Sequence, residues 1–269
     1  KTYLTEESRI TTAPLKSKES YEREDIVLHL GMKVSAINPK EKSIHLENGT
    51  QQYYDKLVLA TGARPIIPPI SGLDKAKNVF PVRTAADVEG IRNALGEHLN
   101  SKVVVIGGGY IGLEIAASLK KKGAMVTVLE REERILARVT APEMSTFFHE
   151  VHRKNGVEVI AAKNVTSIAP NNDVICADGT IYPANIIIVG VGIHVNTELA
   201  KQAGLHLENG IKVDAAACTN DKNIYAVGDC TYHYNPHYER YVRLESVQNA
   251  VDQAKIAAAA IAGKDVVYD

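Results

Sequence analysis

The residues with the clearest chemical meaning are three glycines and a carboxylate. Gly107, Gly109 and Gly112 form the pattern G-x-G-x-x-G, and Glu130 follows them at about the 20-residue spacing typical of a dinucleotide site. The first glycine permits a tight turn, the second lets a pyrophosphate approach the backbone, and the third lets a helix pack closely on a strand. A carboxylate in the position of Glu130 binds ribose hydroxyls and repels a 2′-phosphate. The pattern therefore predicts an NAD site that favours NADH over NADPH.

The segments around these residues predict the strand, helix and second strand that such a site requires. Val103–Ile106 is a short β-branched run, typical of a strand buried on both faces of a parallel sheet. The pyrophosphate would lie at the N-terminus of the following helix, where N–H groups and the helix dipole favour negative charge. Arg131 and Arg134 could pair with a 2′-phosphate, which weakens the preference for NADH slightly. The alternative to a ligand site is a structural glycine turn.

Composition narrows the classes of protein to consider. The 269 residues allow one large or two ordinary domains. With 31 basic and 32 acidic residues the net charge is −1, which gives no reason to expect nucleic acid or a membrane surface as partner. No apolar run approaches the roughly 18 residues of a membrane span, and the N-terminus is polar. A cytoplasmic protein is therefore expected.

Cysteines and histidines give little sign of a metal site. The cysteines are odd in number and far apart, which predicts buried, unreactive thiols at Cys176, Cys218 and Cys230. Two histidine pairs have short spacing, His149 with His152 and His233 with His237. Metal sites normally need three or four convergent ligands, so these are interpreted as surface histidines and no metal is expected. The tyrosine-rich segment 231–241 could line a partner surface.

The N-terminal quarter predicts a short helix and a β-meander. The helix-like stretch is Ser20–Glu24, and alternating apolar residues around an Asn-Gly turn predict strands at Lys33–Ile37, Ser43–Leu46 and Tyr53–Ala60. The proline-rich segment 65–80 predicts an irregular connection between domains.

Two helices are predicted in the middle of the chain from caps and apolar spacing. Thr84 caps the first, whose apolar positions are Val88, Ile91 and Leu95. Thr140 and Glu143 predict a capping box for the second, with Pro142 in its first turn. Its apolar stripe, interpreted as core, contains Met144, Phe147, Phe148 and Val151, and Gly156 ends the helix.

The rest of the chain predicts strands followed by one long helix. A second meander is expected over Val157–Ala184, followed by an apolar strand at Ile186–Val191 and short strands at Gly210–Val213 and Asn223–Val227. The helix, about Ser246–Ala262, presents small residues suited to packing on a sheet, namely Val247, Ala250, Val251, Ala254 and Ala258. The segment from about 65 to 195 is thus predicted to be one complete dinucleotide domain.

Several motifs together resemble a known family. They are LVLATGARP, VVVIGGGYIGLE, RVTAPEMSTFFHEVHR, GVGIHVNTELA, NIYAVGDC and RLESVQNAVDQA, and they run along nearly the whole chain. The set is similar to the ferredoxin and rubredoxin reductase branch of the FAD-dependent pyridine nucleotide-disulfide oxidoreductases. Val195 departs from the family, which usually has proline before the NTEL segment.

The resemblance implies an α/β fold of two nested Rossmann-like dinucleotide-binding domains. Each has three layers with a parallel central sheet and a β-meander, and the NADH domain is inserted into the FAD domain. Residues 1–65 and 195–269 would form the FAD domain, and residues 66–194 the NADH domain. The family's first FAD motif would precede Lys1, and a C-terminal domain would follow Asp269. The resemblance thus implies a fragment of a longer protein.

The resemblance also implies roles for particular residues. Lys1 would lie near the isoalloxazine and stabilise the anionic reduced flavin, and Glu114 would lie near the contact between nicotinamide and flavin. Asp229 would accept a hydrogen bond from the ribityl chain, and Val247 would contact the flavin ring. Further cofactor-binding positions implied by the same motifs are Val34, Thr61, Gly62, Arg83, Tyr110, Ile111, Gly190, Gly192 and Gly228.

The implied function is electron transfer from NADH through FAD to a [2Fe–2S] ferredoxin or a rubredoxin, in the service of an oxygenase. The protein would be a monomer or homodimer, without nucleic acid or membrane as partner. Two alternatives remain open. One is an NADH-dependent disulfide or peroxide reductase of the same architecture, and the other is a nucleotide-binding fragment that is catalytically incomplete.

Overall fold

The computed structural model describes Leu4, residues 16–96 and residues 100–264, and the chain divides into two compact units. The first unit is Pro65–Ile193 together with Lys1–Ser17, of which Leu4, Lys16 and Ser17 are described. The second unit is Lys18–Arg64 together with His194–Asp269. Most of the first unit is thus inserted into the sequence of the second, as the nested α/β prediction requires.

Short strands alternate with helices along the chain. The strands are β1 (Val34–Asn38), β2 (Ser43–Leu46), β3 (Gln51–Tyr53), β4 (Leu57–Leu59), β5 (Ala63–Pro65), β6 (Val79–Phe80), β7 (Lys102–Ile106), β8 (Met125–Leu129), β9 (Glu158–Ile160), β10 (Val165–Ile168), β11 (Val174–Cys176), β12 (Ile181–Tyr182), β13 (Ile186–Val189), β14 (Ile193–Val195), β15 (Ile211–Val213), β16 (Ile224–Ala226), β17 (Thr231–Asn235) and β18 (Arg240–Val242). The helices are α1 (Lys18–Arg23), α2 (Ala85–Leu95), α3 (Tyr110–Lys121), α4 (Pro142–Lys154), α5 (Glu198–Gln202) and α6 (Val247–Ile261), with a 3-10 helix at Gly228–Cys230.

The first unit has three layers around a parallel sheet of order β6-β13-β7-β8-β9. Strand β7 shows how the layers form. Val103 and Val105 pack with the helices, whereas Val104 and Ile106 pack with the antiparallel meander β10-β11-β12 on the other face. Because alternate side chains point to opposite faces, a continuous apolar run buries both. The predicted buried strand is confirmed.

The bounds of three predicted segments differ from the structure. The second meander was expected from Val157, but β9 pairs in parallel with β8 and belongs to the central sheet. Tyr53–Ala60 was expected as one strand, but Tyr53 ends β3 while Leu57–Leu59 forms β4. The irregular segment 65–80 contains strand residues at both ends, since Pro65 closes β5 and β6 follows at Val79. Proline is tolerated at the end of a strand, where its missing N–H is not needed.

Helix α2 begins with the cap that the sequence predicts. The Thr84 hydroxyl accepts a hydrogen bond from Asp87 N at 3.2 Å, and the Asp87 carboxylate accepts one from Thr84 N at 2.7 Å. Both partners of a capping box are therefore present. Ile91 and Leu95 are buried, as the apolar spacing predicts.

Helix α4 begins differently from the prediction. Its N-cap is Ala141, whose side chain has no capping group, and Pro142 is the first helical residue. The predicted capping box is wrong because the Thr140 hydroxyl instead lies 3.3 Å from Leu136 O, to which it donates.

The inner face of α4 is also different from the predicted apolar stripe. Phe147 is 56% exposed, and Met144 and Val151 are exposed as well. The buried residues are Ser145 and His152, whose polar atoms bond to neighbouring backbone. The stripe was interpreted as core, and of its members Phe148 alone packs partly against the core.

The described residues of the second unit form several small sheets. Strands β1, β2 and β3 form an antiparallel meander, β4 pairs in parallel with β16, and β15 pairs with β17, which pairs with β18. Ile37, Leu59 and Ile224 belong to its core, together with residues of α5 and β15. The predicted strands at 210–213 and 223–227 are confirmed as β15 and β16.

Helix α6 packs through a mixed face, in which two polar residues are buried and one of the predicted small residues, Ala250, lies half-buried against Gly228. Ser246 caps it by accepting a hydrogen bond from Asn249 N at 3.1 Å. The buried residues are Asn249, Gln253 and Ala257, whereas Val247 is 81% exposed. The predicted packing residues Val251, Ala254 and Ala258 are exposed as well.

The predictions for isolated cysteines and histidines are partly wrong. Cys176 and Cys230 are buried, but Cys218 is only half-buried. Burial raises the pKa of the Cys176 and Cys218 thiols, which keeps both protonated at neutral pH. His152 and His233 are buried rather than on the surface. Within the described residues, no three His, Cys, Asp or Glu side chains converge as metal ligands, and no helix could cross a membrane.

Candidate dinucleotide-binding site

Two glycines, Gly107 and Gly112, let β7, α3 and β13 approach each other closely. Gly107 has φ of +109°, and a Cβ there would lie 2.4 Å from Gly190 O. A Cβ at Gly112 would lie 2.1 Å from Gly107 O, in the first turn of α3. A side chain at either position would collide with backbone, which cannot move without separating helix from strand. These glycines therefore fix the geometry of the turn.

Gly109 has a different role, because it faces open space. It is the N-cap of α3 with φ of −80°, and a Cβ there would meet nothing within 4 Å. Within the described residues no side chain caps this helix, so its first N–H groups have no side-chain partner. Tyr110 and Ile111 are exposed beside it. The turn thus offers what a phosphate group needs, which is backbone N–H groups at a helix N-terminus that a ligand can approach.

Glu130 lies against this turn and is held by backbone N–H groups. Its Oε2 accepts a hydrogen bond from Gly108 N at 2.6 Å, and its Oε1 accepts one from Glu132 N at 2.8 Å. Each carboxylate oxygen can accept more than one hydrogen bond, so both can still bind hydroxyl groups. The structure therefore brings Glu130 and the predicted glycine turn together.

The residues that follow Glu130 form a loop whose arginine is already bonded. Arg134 Nη1 donates to Ser145 Oγ at 2.6 Å and to Thr140 O at 2.9 Å, and Nη2 donates to Ala137 O at 2.9 Å. Arg134 is therefore held by these oxygens, and its pairing with a 2′-phosphate stays a prediction. Arg131 is exposed and forms an ion pair with Glu132 at 2.8 Å.

In the second unit, Asp229 lies on the 3-10 helix that packs against α6. Gly228 has φ of +79°, and its N–H donates to Gln253 Oε1 at 2.8 Å. A Cβ at Gly228 would lie 3.5 Å from Ala250 Cβ, so turn and helix are in close contact. Asp229 is half-buried and Val247 is exposed in the first turn of the same helix. The structure thus brings the elements that carry these two positions together.

Thr61 and Gly62 form a turn in this unit that hydrogen bonds to Asn196 hold in place. The Thr61 hydroxyl donates to Asn196 O at 2.7 Å, while Asn196 Nδ2 donates to Thr61 O at 2.9 Å and Asn196 N donates to Gly62 O at 3.0 Å. Arg64 Nη1 donates to Asn196 Oδ1 at 2.6 Å, and Arg64 Nη2 forms an ion pair with Glu198 Oε1 at 2.7 Å. Asn196 is therefore the centre of a polar cluster that orders the turn.

The remaining predicted positions are placed as follows. Val34 lies half-buried in β1, beside a cavity of about 270 Å³ within the second unit. Glu114 is half-buried in α3, Arg83 is exposed before α2, and Gly192 has φ of +120° after β13. Lys1 lies outside the described residues.

Sequence reasoning missed two residues that organise these sites. Gly108 is the middle of three consecutive glycines, one more than the dinucleotide pattern needs. Asn196 precedes the TEL segment, within a motif noted only for its resemblance. The extra glycine is the sequence signal for Gly108, whereas the role of Asn196 depends on contacts with Thr61 and Arg64, which are more than 130 residues away in sequence.

The fold and the glycine turn define a class, the dinucleotide-binding α/β proteins. The model of the pyridine nucleotide-disulphide oxidoreductase family matches residues 1–254. The chain belongs to this family, as the resemblance predicted.

Relatives within the family are similar along the whole chain. Putidaredoxin reductase of Pseudomonas putida is 41% identical over 272 residues, covering 98% of this chain and 64% of that protein. Rubredoxin-NAD(+) reductase of Ectopseudomonas oleovorans is 34% identical over 267 residues, covering 98% of this chain and 69% of that protein. The crystal structure of the covalent putidaredoxin reductase–putidaredoxin complex matches with a TM-score of 0.93 and 40% identity, covering 100% of this chain and 66% of the other. The chain therefore spans about two thirds of the length of these relatives.

Proposed function

We propose that this chain is the NADH- and FAD-binding part of a flavoprotein reductase that passes electrons from NADH to a [2Fe–2S] ferredoxin or a rubredoxin serving an oxygenase. The observation that carries the proposal is the pair formed by Gly108 N and the Glu130 carboxylate, which places an acidic group on an open glycine turn. The names of the ferredoxin and rubredoxin reductases among its relatives support the choice of acceptor.

The residues of the first unit fit NADH. The open space over Gly109 and the first N–H groups of α3, which no side chain caps, suit the pyrophosphate, while Glu130 suits the adenosine ribose hydroxyls. Tyr110 and Ile111 would contact the dinucleotide from the first turn of α3. Glu114 stays a prediction for the nicotinamide end.

The residues of the second unit fit part of FAD. The partly exposed Asp229 carboxylate can accept a hydrogen bond from a ribityl hydroxyl, and the exposed Val247 offers apolar contact at the start of α6. Thr61 and Gly62 would hold the cofactor through the backbone that Asn196 orders. The chemistry that FAD supplies when bound is acceptance of a hydride and release of single electrons. The protein's part is to bind and orient the cofactors and exclude water.

The proposal extends to location and partners. We place the protein in the cytoplasm as a monomer or homodimer, without nucleic acid or membrane as partner. The near-neutral net charge of −1 supports the absence of a nucleic-acid or membrane partner. The electron acceptor would be a small iron–sulfur protein.

Acceptor assays on the purified protein test this proposal. With NADH as donor, we expect reduction of a [2Fe–2S] ferredoxin or a rubredoxin to exceed turnover of peroxide or disulfide substrates. High peroxide turnover with little ferredoxin reduction would instead identify the disulfide or peroxide reductase alternative. Absence of NADH oxidation with every acceptor would leave the nucleotide-binding fragment as the correct description.

A further inference from the structure

The middle glycine of the turn connects two parts of the first unit that meet at the proposed NADH site. Gly108 N donates to Glu130 Oε2 at 2.6 Å, and Gly108 O accepts from Leu136 N at 3.0 Å. One residue thus ties both the carboxylate and the following loop to the glycine turn. The pattern G-x-G-x-x-G places no requirement on this position.

Space around Gly108 is too small for a side chain. A Cβ there would lie 2.7 Å from Ile135 Cγ2 and 3.1 Å from Glu130 Oε2. Ile135 is 2% exposed and packs in the core of the first unit, so it cannot move aside without disturbing its neighbours. A side chain at residue 108 would therefore displace the Glu130 carboxylate.

We propose that Gly108 is the positioning residue that sets the preference for NADH over NADPH. It acts through Glu130, because only a residue without Cβ lets the carboxylate reach both the Gly108 and the Glu132 N–H groups. Held there, the negative charge faces the place of a ribose 2′ substituent and repels a phosphate. This inference rests on the proposed NADH site.

The arrangement of nearby arginines supports the proposal. Arg134 is bonded to loop oxygens and Arg131 is paired with Glu132. A 2′-phosphate would therefore meet the Glu130 carboxylate, while the guanidinium groups of Arg131 and Arg134 are bonded to other protein oxygens. The position of the carboxylate thus decides how strongly the phosphate is rejected.

A double-mutant cycle on nucleotide affinity tests the proposal. The dissociation constants of NAD⁺ and NADP⁺ are measured by calorimetry for the wild type, Gly108→Ala, Glu130→Gln and the double variant. We expect each single variant to reduce the NAD⁺-to-NADP⁺ affinity ratio about tenfold, and the double variant to reduce it no further. An unchanged NAD⁺-to-NADP⁺ affinity ratio in Gly108→Ala would overturn the proposal. Losses that multiply in the double variant would also overturn it, because they would show that Gly108→Ala acts independently of Glu130.

Gly109→Ala is the matched control. Its Cβ meets no protein atom within 4 Å, so it should weaken both nucleotides alike and leave the ratio unchanged. If Gly108→Ala does not fold, Glu130→Asp tests the same point, because the shorter side chain keeps the charge but not its placement. A wild-type ratio in Glu130→Asp would overturn the proposal. Failure of the wild type to bind either nucleotide would contradict the proposed function instead.

Discussion

The backbone N–H of Gly108 donates a hydrogen bond to Oε2 of Glu130, with 2.6 Å between nitrogen and oxygen. This bond ties the residue after β8 to the turn after β7, so the carboxylate and the N-terminus of α3 face the same place. An acidic group beside an anion-binding helix terminus suits a ligand with both phosphate and hydroxyl groups. The relationship is the structural basis of the proposed NADH site.

Gly112→Ala is expected to destabilise the first unit. The new Cβ would lie 2.1 Å from Gly107 O and would force α3 away from β7. We expect a loss of about 3 kcal/mol in the free energy of unfolding, measured by urea denaturation.

Gly109→Ala is the matched control for stability. Its Cβ faces open space at φ of −80°, so the free energy of unfolding should stay within about 1 kcal/mol of wild type. NADH affinity should fall even so, because the methyl group occupies the approach to the backbone. Equal stability of the two variants would contradict the close packing at Gly112.

Gln253→Leu is expected to destabilise the second unit. The buried Gln253 Oε1 accepts hydrogen bonds from Gly228 N at 2.8 Å and Thr231 Oγ1 at 3.0 Å. Leucine removes this shared acceptor, so we expect a loss of about 2 kcal/mol in the free energy of unfolding. Gln248→Leu is the control, because Gln248 is exposed and should change stability by less than about 0.5 kcal/mol.

His233 is expected to make stability depend on pH. Burial lowers its pKa below the ordinary 6.5, and Gln253 Nε2 lies 3.2 Å from Nδ1, where an amide donor requires an unprotonated nitrogen. Below pH 6.5 the His233 side chain becomes protonated in the unfolded chain but stays neutral in the folded protein. Stability should therefore fall as the pH drops from 6.5 toward the lowered pKa of the folded protein, by at most about 1.4 kcal/mol for each pH unit within that interval.

The His233 contribution is measured by urea denaturation across this range. The difference in unfolding free energy between wild type and His233→Gln should shrink on acidification, since the variant lacks the titrating group. His237→Gln is the control at an exposed position and should follow wild type. A difference that is independent of pH would contradict the prediction.

Asn196→Asp is expected to weaken FAD binding. Asn196 Nδ2 donates to Thr61 O at 2.9 Å, and a carboxylate there would repel that carbonyl while keeping its bond to Arg64. We expect FAD affinity to fall about tenfold, measured as flavin retained on dialysis. Arg64→Ala leaves the Thr61 bond in place and should retain flavin near the wild-type level. Loss of flavin in Arg64→Ala alone would show that Thr61 does not depend on the Asn196 amide.

The sequence predicted those parts of the fold that local patterns decide. Val103–Ile106 formed the expected buried strand, and Thr84 capped the expected helix, because β-branching and capping act over a few residues. The glycine turn was found for the same reason.

The faces of two helices could not be predicted from apolar spacing. In α4 the apolar Phe147 is exposed, while His152 is buried with its ring nitrogens 2.8 Å from Phe148 O and 3.1 Å from Leu113 O. In α6 the buried Gln253 bonds to Gly228, which is 25 residues away in sequence. Partners so distant in sequence leave no periodic pattern, so the polar residues that face inward were missed.

The central claim is tested most directly by a visible spectrum of the purified protein before and after anaerobic addition of NADH. We predict flavin absorption bands that bleach when NADH is added, because Gly109 and Glu130 would hold the nucleotide and FAD, when bound, would supply hydride acceptance. A colourless protein, or flavin bands that NADH leaves unchanged, would contradict the account.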